Sequence, residues 1–153
     1  MDKNIVIASD HGGFLLKEKI KNFLLAKGYI VKDAGTNSIE PCDYPKFGFL
    51  AAKEVSKKKG ARGIVICKSG IGMSIVANKM PGVRAALCHT VEDARSSREH
   101  NDVNVLALSS NKLSFKKANG IICVWLDTAF LGDRHARRVQ AIKAMEKKIF
   151  NKC

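Results

Sequence analysis

Two short stretches of the chain combine reactive side chains with glycines. Ser9-Asp10-His11-Gly12-Gly13 follows one apolar run, and Cys67-Lys68-Ser69-Gly70-Ile71-Gly72 follows another. Glycines let the backbone turn tightly and aim several N–H groups into one concavity at a helix start. Such a nest cradles phosphate or the oxyanion of an enediolate. The same helix start favours a thiolate, so Cys67 is a candidate base beside groups that would stabilise the charge it creates. G-x-G alone is a weak signal, and a cysteine closing a buried strand is often just a small apolar residue. Base and core thiol are both open at this level. Asp10 and His11 read equally as turn and cap residues or as polar groups facing a crevice.

Arg134 and Arg138 are the phosphate candidates. Spacing of four puts both guanidiniums on one helix face, near a helix start whose dipole also favours an anion. Arg137 reads as a solvated neighbour, and His135 as a group supporting the arginines or an exposed one. His100-Asn101 stands just before the fifth apolar run, hence at the amino end of a sheet whose reactive loops lie at the carboxyl end. Either the pair is structural, with Asn101 closing a helix, or a second subunit carries it to Cys67.

The elements that must position these groups alternate along the chain. Residues 4–8, 29–34, 63–67, 84–88 and 103–108 read as strands. Helical spacing of Leu16, Ile20, Phe23 and Leu24 follows the first and stops at Gly28. A second helix begins near Pro45 after a loop over 35–44, and a third runs through Met73, Ile75, Val76 and Ala77. Thr90 caps a polar fourth, with Asp93 at the capping-box offset. Two helices over about 114–130 and 135–150 finish the chain. This alternation predicts an α/β fold, a three-layer α/β/α sandwich around a Rossmann-like five-stranded parallel sheet. Ligands of such sheets bind beyond the carboxyl ends of the strands where strand order reverses. The loops after strands one and three would then share one crevice. In the last helix Val139, Ile142, Met145 and Ile149 form a narrow apolar stripe, which either lies on its own domain or packs on a second subunit.

Composition narrows the class. A chain of 153 residues with 46% hydrophobic residues suits one domain with a real core. Its longest apolar run, 121–126, is far short of the roughly 20 residues that span a bilayer, and no secretory leader pattern opens it. A cytoplasmic protein without membrane attachment is expected. Five cysteines (Cys42, Cys67, Cys88, Cys123, Cys153) without C-x-x-C spacing argue for free thiols rather than zinc or disulfides. The net charge of +13 attracts nucleic acid, anionic membranes and phosphorylated metabolites alike. Much of it is lysine in runs such as Lys57-Lys58-Lys59, which read as solvated faces.

Taken in order, the motifs resemble a family. Ser9-Asp10-His11-Gly12-Gly13-Phe14, Asp43-Tyr44-Pro45, Cys67-Lys68-Ser69-Gly70-Ile71-Gly72, Ala77-Asn78-Lys79 and Arg84-Ala85 are matched first. Arg98-Glu99-His100-Asn101-Asp102, Asn104-Val105-Leu106 and Gly132-Asp133-Arg134-His135 follow. Over almost the whole chain this is similar to the type B ribose-5-phosphate isomerases, in the family that also holds galactose-6-phosphate and allose-6-phosphate isomerase subunits. The resemblance implies an aldose–ketose isomerase of the pentose phosphate pathway that interconverts ribose 5-phosphate and ribulose 5-phosphate. Cys67 would move the proton through a cis-enediolate, with Ser69 helping to place it. The amides of Ser69, Gly70, Ile71, Gly72, Met73 and Ser74 would hold the oxyanion. His100 of a partner subunit, assisted by Asp10, would open the furanose ring. Tyr44 and Asn101 would bind hydroxyls, and His11, Arg134 and Arg138 the phosphate. A homodimer or homotetramer with a shared active site is implied, with no cofactor and no metal.

Two positions depart from the family pattern. Lys68 stands where glycine usually follows the cysteine. At positive φ it would be strained by roughly 1 kcal/mol or more; otherwise its ammonium could favour a thiolate. After the fifth strand, where members usually carry an arginine that contacts phosphate across the dimer, this chain has Asn111, with Lys112 as a possible substitute.

The nearest rival is an isomerase of a six-carbon sugar phosphate. A non-catalytic nucleotide- or nucleic-acid-binding domain is a rival of another class. It is disfavoured by an aromatic content of 7% and by the lack of a basic segment interleaved with aromatics. A metal-dependent hydride shift is disfavoured because the four histidines show no ligand spacing with carboxylates.

Overall fold

The computed structural model describes residues 3–58 and 60–150; Lys59 and Cys153, named above, lie outside them. Five strands, β1 (Asn4–Ser9), β2 (Ile30–Asp33), β3 (Arg62–Cys67), β4 (Ala85–Leu87) and β5 (Val105–Ser109), form one sheet. Its order is β2-β1-β3-β5-β4, and every neighbouring pair is parallel. Six helices accompany it: α1 (Phe14–Ala26), α2 (Tyr44–Lys57), α3 (Ile71–Ala77), α4 (Val91–Asn101), α5 (Phe115–Asp127) and α6 (Asp133–Phe150).

Successive strand residues face opposite sides of a sheet, and here both sides are apolar. Ile5, Ile7, Ile64, Ile66, Leu106 and Leu108 pack with Leu16, Ile20 and Leu24 of α1, Ala94 of α4, and Ile121 and Trp125 of α5. Val6, Ala8, Val65, Cys67, Val105 and Ala107 face the other way, against Ala51, Ala52 and Val55 of α2 and Met73 and Ala77 of α3. The expected parallel α/β sandwich is therefore observed, and Cys67 stands at the rim of the second core.

The strand order decides where a site can form. After β1 the chain moves outward to β2, then crosses back to place β3 on the other side of β1. The reversal leaves a crevice between β1 and β3 at their carboxyl ends. Because β5 inserts between β3 and β4, the segment after Ser109 borders the same crevice.

Several boundaries differ from the sequence expectation. β5 starts at Val105 rather than 103, because the Val103 N–H donates to the Ser97 carbonyl and Oδ1 of Asn104 accepts from the Arg84 N–H. α6 starts at Asp133, two residues early. Gly132 (φ 75°) and Asp133 (φ 43°) take successive left-handed conformations that turn the chain into it. The Thr90 capping box is complete: Oγ1 accepts from the Asp93 N–H at 3.0 Å, and the Asp93 carboxylate accepts from the Thr90 N–H at 3.1 Å.

Candidate active site

Three loops meet at the carboxyl edge of the sheet, and backbone carbonyls and serine hydroxyls stitch them together. Ser110, just beyond β5, donates its N–H to the Cys67 carbonyl at 3.0 Å and its hydroxyl to the Gly12 carbonyl at 2.8 Å. Ser109 donates its hydroxyl to the Lys68 carbonyl at 2.7 Å. These two serines were not singled out from the sequence, since a serine ending a strand carries no distinctive local signal. They fix the two Gly-rich turns relative to each other.

Cys67 is 5% exposed, and its Sγ accepts the Gly70 N–H at 3.1 Å. A sulfur accepting an amide hydrogen bond at the start of a helix is stabilised when it carries negative charge. Gly70 (φ 76°) makes the left-handed turn that aims this N–H back at the sulfur. Ser69 Oγ accepts from the Ile71 N–H at 3.2 Å. The first intrahelical bond of α3 runs from the Ser74 N–H to the Gly70 carbonyl, so the amides of Gly72 and Met73 have no intrahelical carbonyl to meet. Both lie at the helix end that also holds the thiol. Tyr44, at the start of α2, lies against this turn: a β-carbon on Gly72 would come within 2.6 Å of its ring.

Lys68 does not take positive φ; the glycine-like conformation of the loop falls on Gly70 instead. Its stem lies across Gly12, where an added β-carbon would come within 2.5 Å of Lys68 Cγ. The departure from the family pattern is thus accommodated without backbone strain, by a glycine on the facing turn. Asn111 and Lys112 are both exposed, and the Asn111 N–H donates to the Lys68 carbonyl.

On the β1 side, Asp10 is buried and caps the turn formed by His11–Gly13, its Oδ1 accepting the Gly13 N–H at 3.0 Å. His11 turns Nδ1 toward the Cys42 backbone, 3.1 Å from its nitrogen and 3.2 Å from its carbonyl oxygen. That leaves Nε2 as the ring atom open to another partner. Asp10, His11, Tyr44, Cys67, Ser69, Gly70, Ile71, Gly72, Met73 and Ser74 therefore belong to one neighbourhood.

His100, Asn101, Arg134 and Arg138 belong to another. α4 returns toward the amino end of β5, and the loop before α6 is tied to its last turn by the Leu131 N–H donating to the Glu99 carbonyl. There the rings of His100 and His135 stack, with centroids 4.4 Å apart and planes 13° apart. Arg134, Arg138 and Asn101 are exposed on either side. His135 is 5% exposed rather than solvated, and burial holds its pKa below the ordinary imidazole value. His100, Arg134 and Arg138 act in the same direction, against Asp133. Asp102 (φ 47°), rather than Asn101, closes α4, and its carboxylate binds Arg98 at 2.9 Å and Arg84 at 2.8 Å.

Among the described residues, no group of three or more His, Cys, Asp or Glu side chains is placed to hold a metal ion. Among the same residues, no helix is long and apolar enough to cross a membrane. Cys42, Cys67, Cys88 and Cys123 are free thiols.

Comparison with known proteins gives the family of the chain. The family described as Ribose/Galactose Isomerase matches residues 5–142. Ribose-5-phosphate isomerase B of Escherichia coli K12 is 42% identical over 146 residues, covering 95% of this chain and 98% of that one. The solved ribose-5-phosphate isomerase B of Clostridium thermocellum superposes with a TM-score of 0.93 at 49% identity, over 95% of this chain and 99% of the other. The Mycoplasma genitalium enzyme, solved with bound ribulose-5-phosphate, gives a TM-score of 0.91 at 41% identity, over 94% and 96% of the two chains.

Proposed function

Since this chain belongs to the ribose/galactose isomerase family, we propose that it interconverts ribose 5-phosphate and ribulose 5-phosphate by cysteine-mediated proton transfer. The observation that carries the reading is the thiol of Cys67 held under the Gly70 N–H, at the helix end where the amides of Gly72 and Met73 meet no intrahelical carbonyl. A base and an oxyanion cradle are what an enediolate mechanism requires within one turn of chain. Cys67 takes the proton next to the carbonyl and returns it to the neighbouring carbon, while the amides from Ser69 to Ser74 hold the enediolate oxygen and Ser69 helps place the proton. Tyr44 and His11 line the same crevice, for a hydroxyl and the phosphate.

Ring opening falls to His100, with Asp10, and the site is completed by a second copy of the chain. In one copy His100, Asn101, Arg134 and Arg138 stand at the end of the sheet away from Cys67. A two-fold partner would present its own set to this crevice, giving a homodimer or a dimer of dimers. Two exposed apolar surfaces support that assembly: Ile71 and Ile75 (each 54% exposed) beside the catalytic turn, and Ile142, Met145 and Ile149 on α6. The assignment extends to a cytoplasmic enzyme that needs neither metal nor organic cofactor.

The test is a panel of five- and six-carbon aldose phosphates assayed before and after EDTA. Conversion of ribose 5-phosphate at an unchanged rate after chelation is expected. Preference for a six-carbon substrate, or loss of rate that added metal restores, would overturn the assignment. For the shared site, inactive Cys67→Ala and inactive His100→Ala proteins are mixed and allowed to exchange subunits. Mixed dimers should regain activity, and none despite verified exchange would refute the arrangement.

A further inference from the structure

Among the described residues, the aromatic contact of His135 is with His100. The two rings lie face to face, 4.4 Å between centroids and 13° between planes. Ring nitrogens lie in the plane of an imidazole, so neither ring can donate a hydrogen bond to the other in this stack. What His135 offers is a flat surface. It is 5% exposed, and its buried Nδ1 makes no hydrogen bond among the described residues. The surface is also fixed. The His135 N–H donates to the Gly132 carbonyl at 2.9 Å, the left-handed pair Gly132 and Asp133 sets the first turn of α6, and Leu131 is tied to Glu99.

The charged groups that face His135 are His100 from α4 and Arg134, Arg138 and Asp133 from α6. Three of these favour a neutral His135, and burial acts the same way. A second imidazolium against His100 would repel the proton that His100 must carry and release. A buried neutral ring avoids that conflict while blocking rotation of the His100 plane.

We propose that His135 is a positioning residue for ring opening: its buried ring fixes the plane of His100, so that the His100 nitrogens meet the sugar at one angle. The proposal rests on the reading of His100 given above. In the step concerned, the C1–O4 bond of the furanose breaks, the proton on O1 leaves, O4 gains a proton, and C1 becomes the aldehyde carbon. Ribulose 5-phosphate cannot close a furanose ring, because its O5 carries the phosphate. Proton exchange at its C1 therefore uses Cys67 without requiring ring opening.

That difference supplies the experiment. His135→Ala is assayed for conversion of ribose 5-phosphate, and for exchange of the C1 hydrogen of ribulose 5-phosphate in deuterated water. Conversion should fall by about tenfold or more through kcat, with KM and exchange within about twofold of the unsubstituted protein. His135→Phe, which restores a flat ring, should recover conversion to within about threefold. Undiminished conversion in His135→Ala, a parallel loss of exchange, or equal damage from Phe and Ala would each overturn the positioning role. His100→Ala separates the two readings: if it leaves conversion intact, the assignment of His100 fails, whatever His135 does. If His100→Ala loses conversion while His135→Ala does not, only the role of His135 fails.

Discussion

The N–H of Gly70 donates to Sγ of Cys67 at 3.1 Å, three residues apart in the chain. The bond depends on the left-handed φ of Gly70, and that conformation is open to glycine because no β-carbon is present. Cys67→Ala should remove the base and lower kcat by about 10²- to 10⁴-fold. The protein should keep its fold, since a buried thiol is replaced by a small apolar group. Rates and circular dichroism of the variant check both statements, and activity near that of the unsubstituted protein would sink the assigned base.

Gly70→Ala tests the turn itself. An added β-carbon would meet Leu87 Cδ1 at 2.5 Å and the Leu108 carbonyl at 3.0 Å, at a φ that L-residues adopt at a cost of about 1–2 kcal/mol. A loss of stability of at least that size is expected in urea titration, with kcat falling more than the stability loss alone explains.

Gly72→Ala addresses the Tyr44 ring, which leaves no room for a β-carbon. The tyrosine, at the exposed start of α2, should swing outward. The expected result is a higher KM with thermal stability nearly unchanged. An unaltered KM would show that Tyr44 does not meet the sugar.

Asp102→Asn should destabilise the protein by about 1–3 kcal/mol, because the buried Arg98 and the partly buried Arg84 both lose a charged acceptor. The same change loosens the last turn of α4, which carries His100, so activity should fall more than folding. Denaturant titration and kcat, measured together, separate the two effects.

Acid should weaken the fold through Asp93. The backbone N–H groups of His89 and Thr90 hold its carboxyl below the usual range. A lowered folded-state pKa contributes stability that is present above the unfolded value, about 3.9, and is lost as pH falls through the folded value. Asp93→Asn should therefore flatten part of the stability decline below about pH 4. An identical decline in the variant would refute this contribution.

Much of the frame is written in local pattern. Apolar runs of strand length separated by helical spacing foretell the alternation, because burial on both faces of a parallel sheet demands it. Thr90 and Asp93 foretell a helix start through a four-residue geometry. Gly70 and Gly72 foretell an amide nest, since only backbone sterics are involved. Cys67, Asp10, His11 and Tyr44 could be named as candidate site residues, from motif and resemblance, before any distance was known.

Tertiary structure decided what depends on residues far apart in sequence. Lys68 keeps out of positive φ with its stem lying on Gly12, and the turns keep register through Ser109, which ends β5, and Ser110, just beyond it; no local signal fixes the insertion of that strand beside β3. His135 changed most: an ambiguous histidine beside two arginines became the buried ring against His100, because α4 and α6 meet at the amino end of the sheet. Sequence dictates the conformations that backbone sterics and periodic burial determine. Which distant side chains touch is set by how strands order and helices pack, and these energies exist only once the chain has closed on itself.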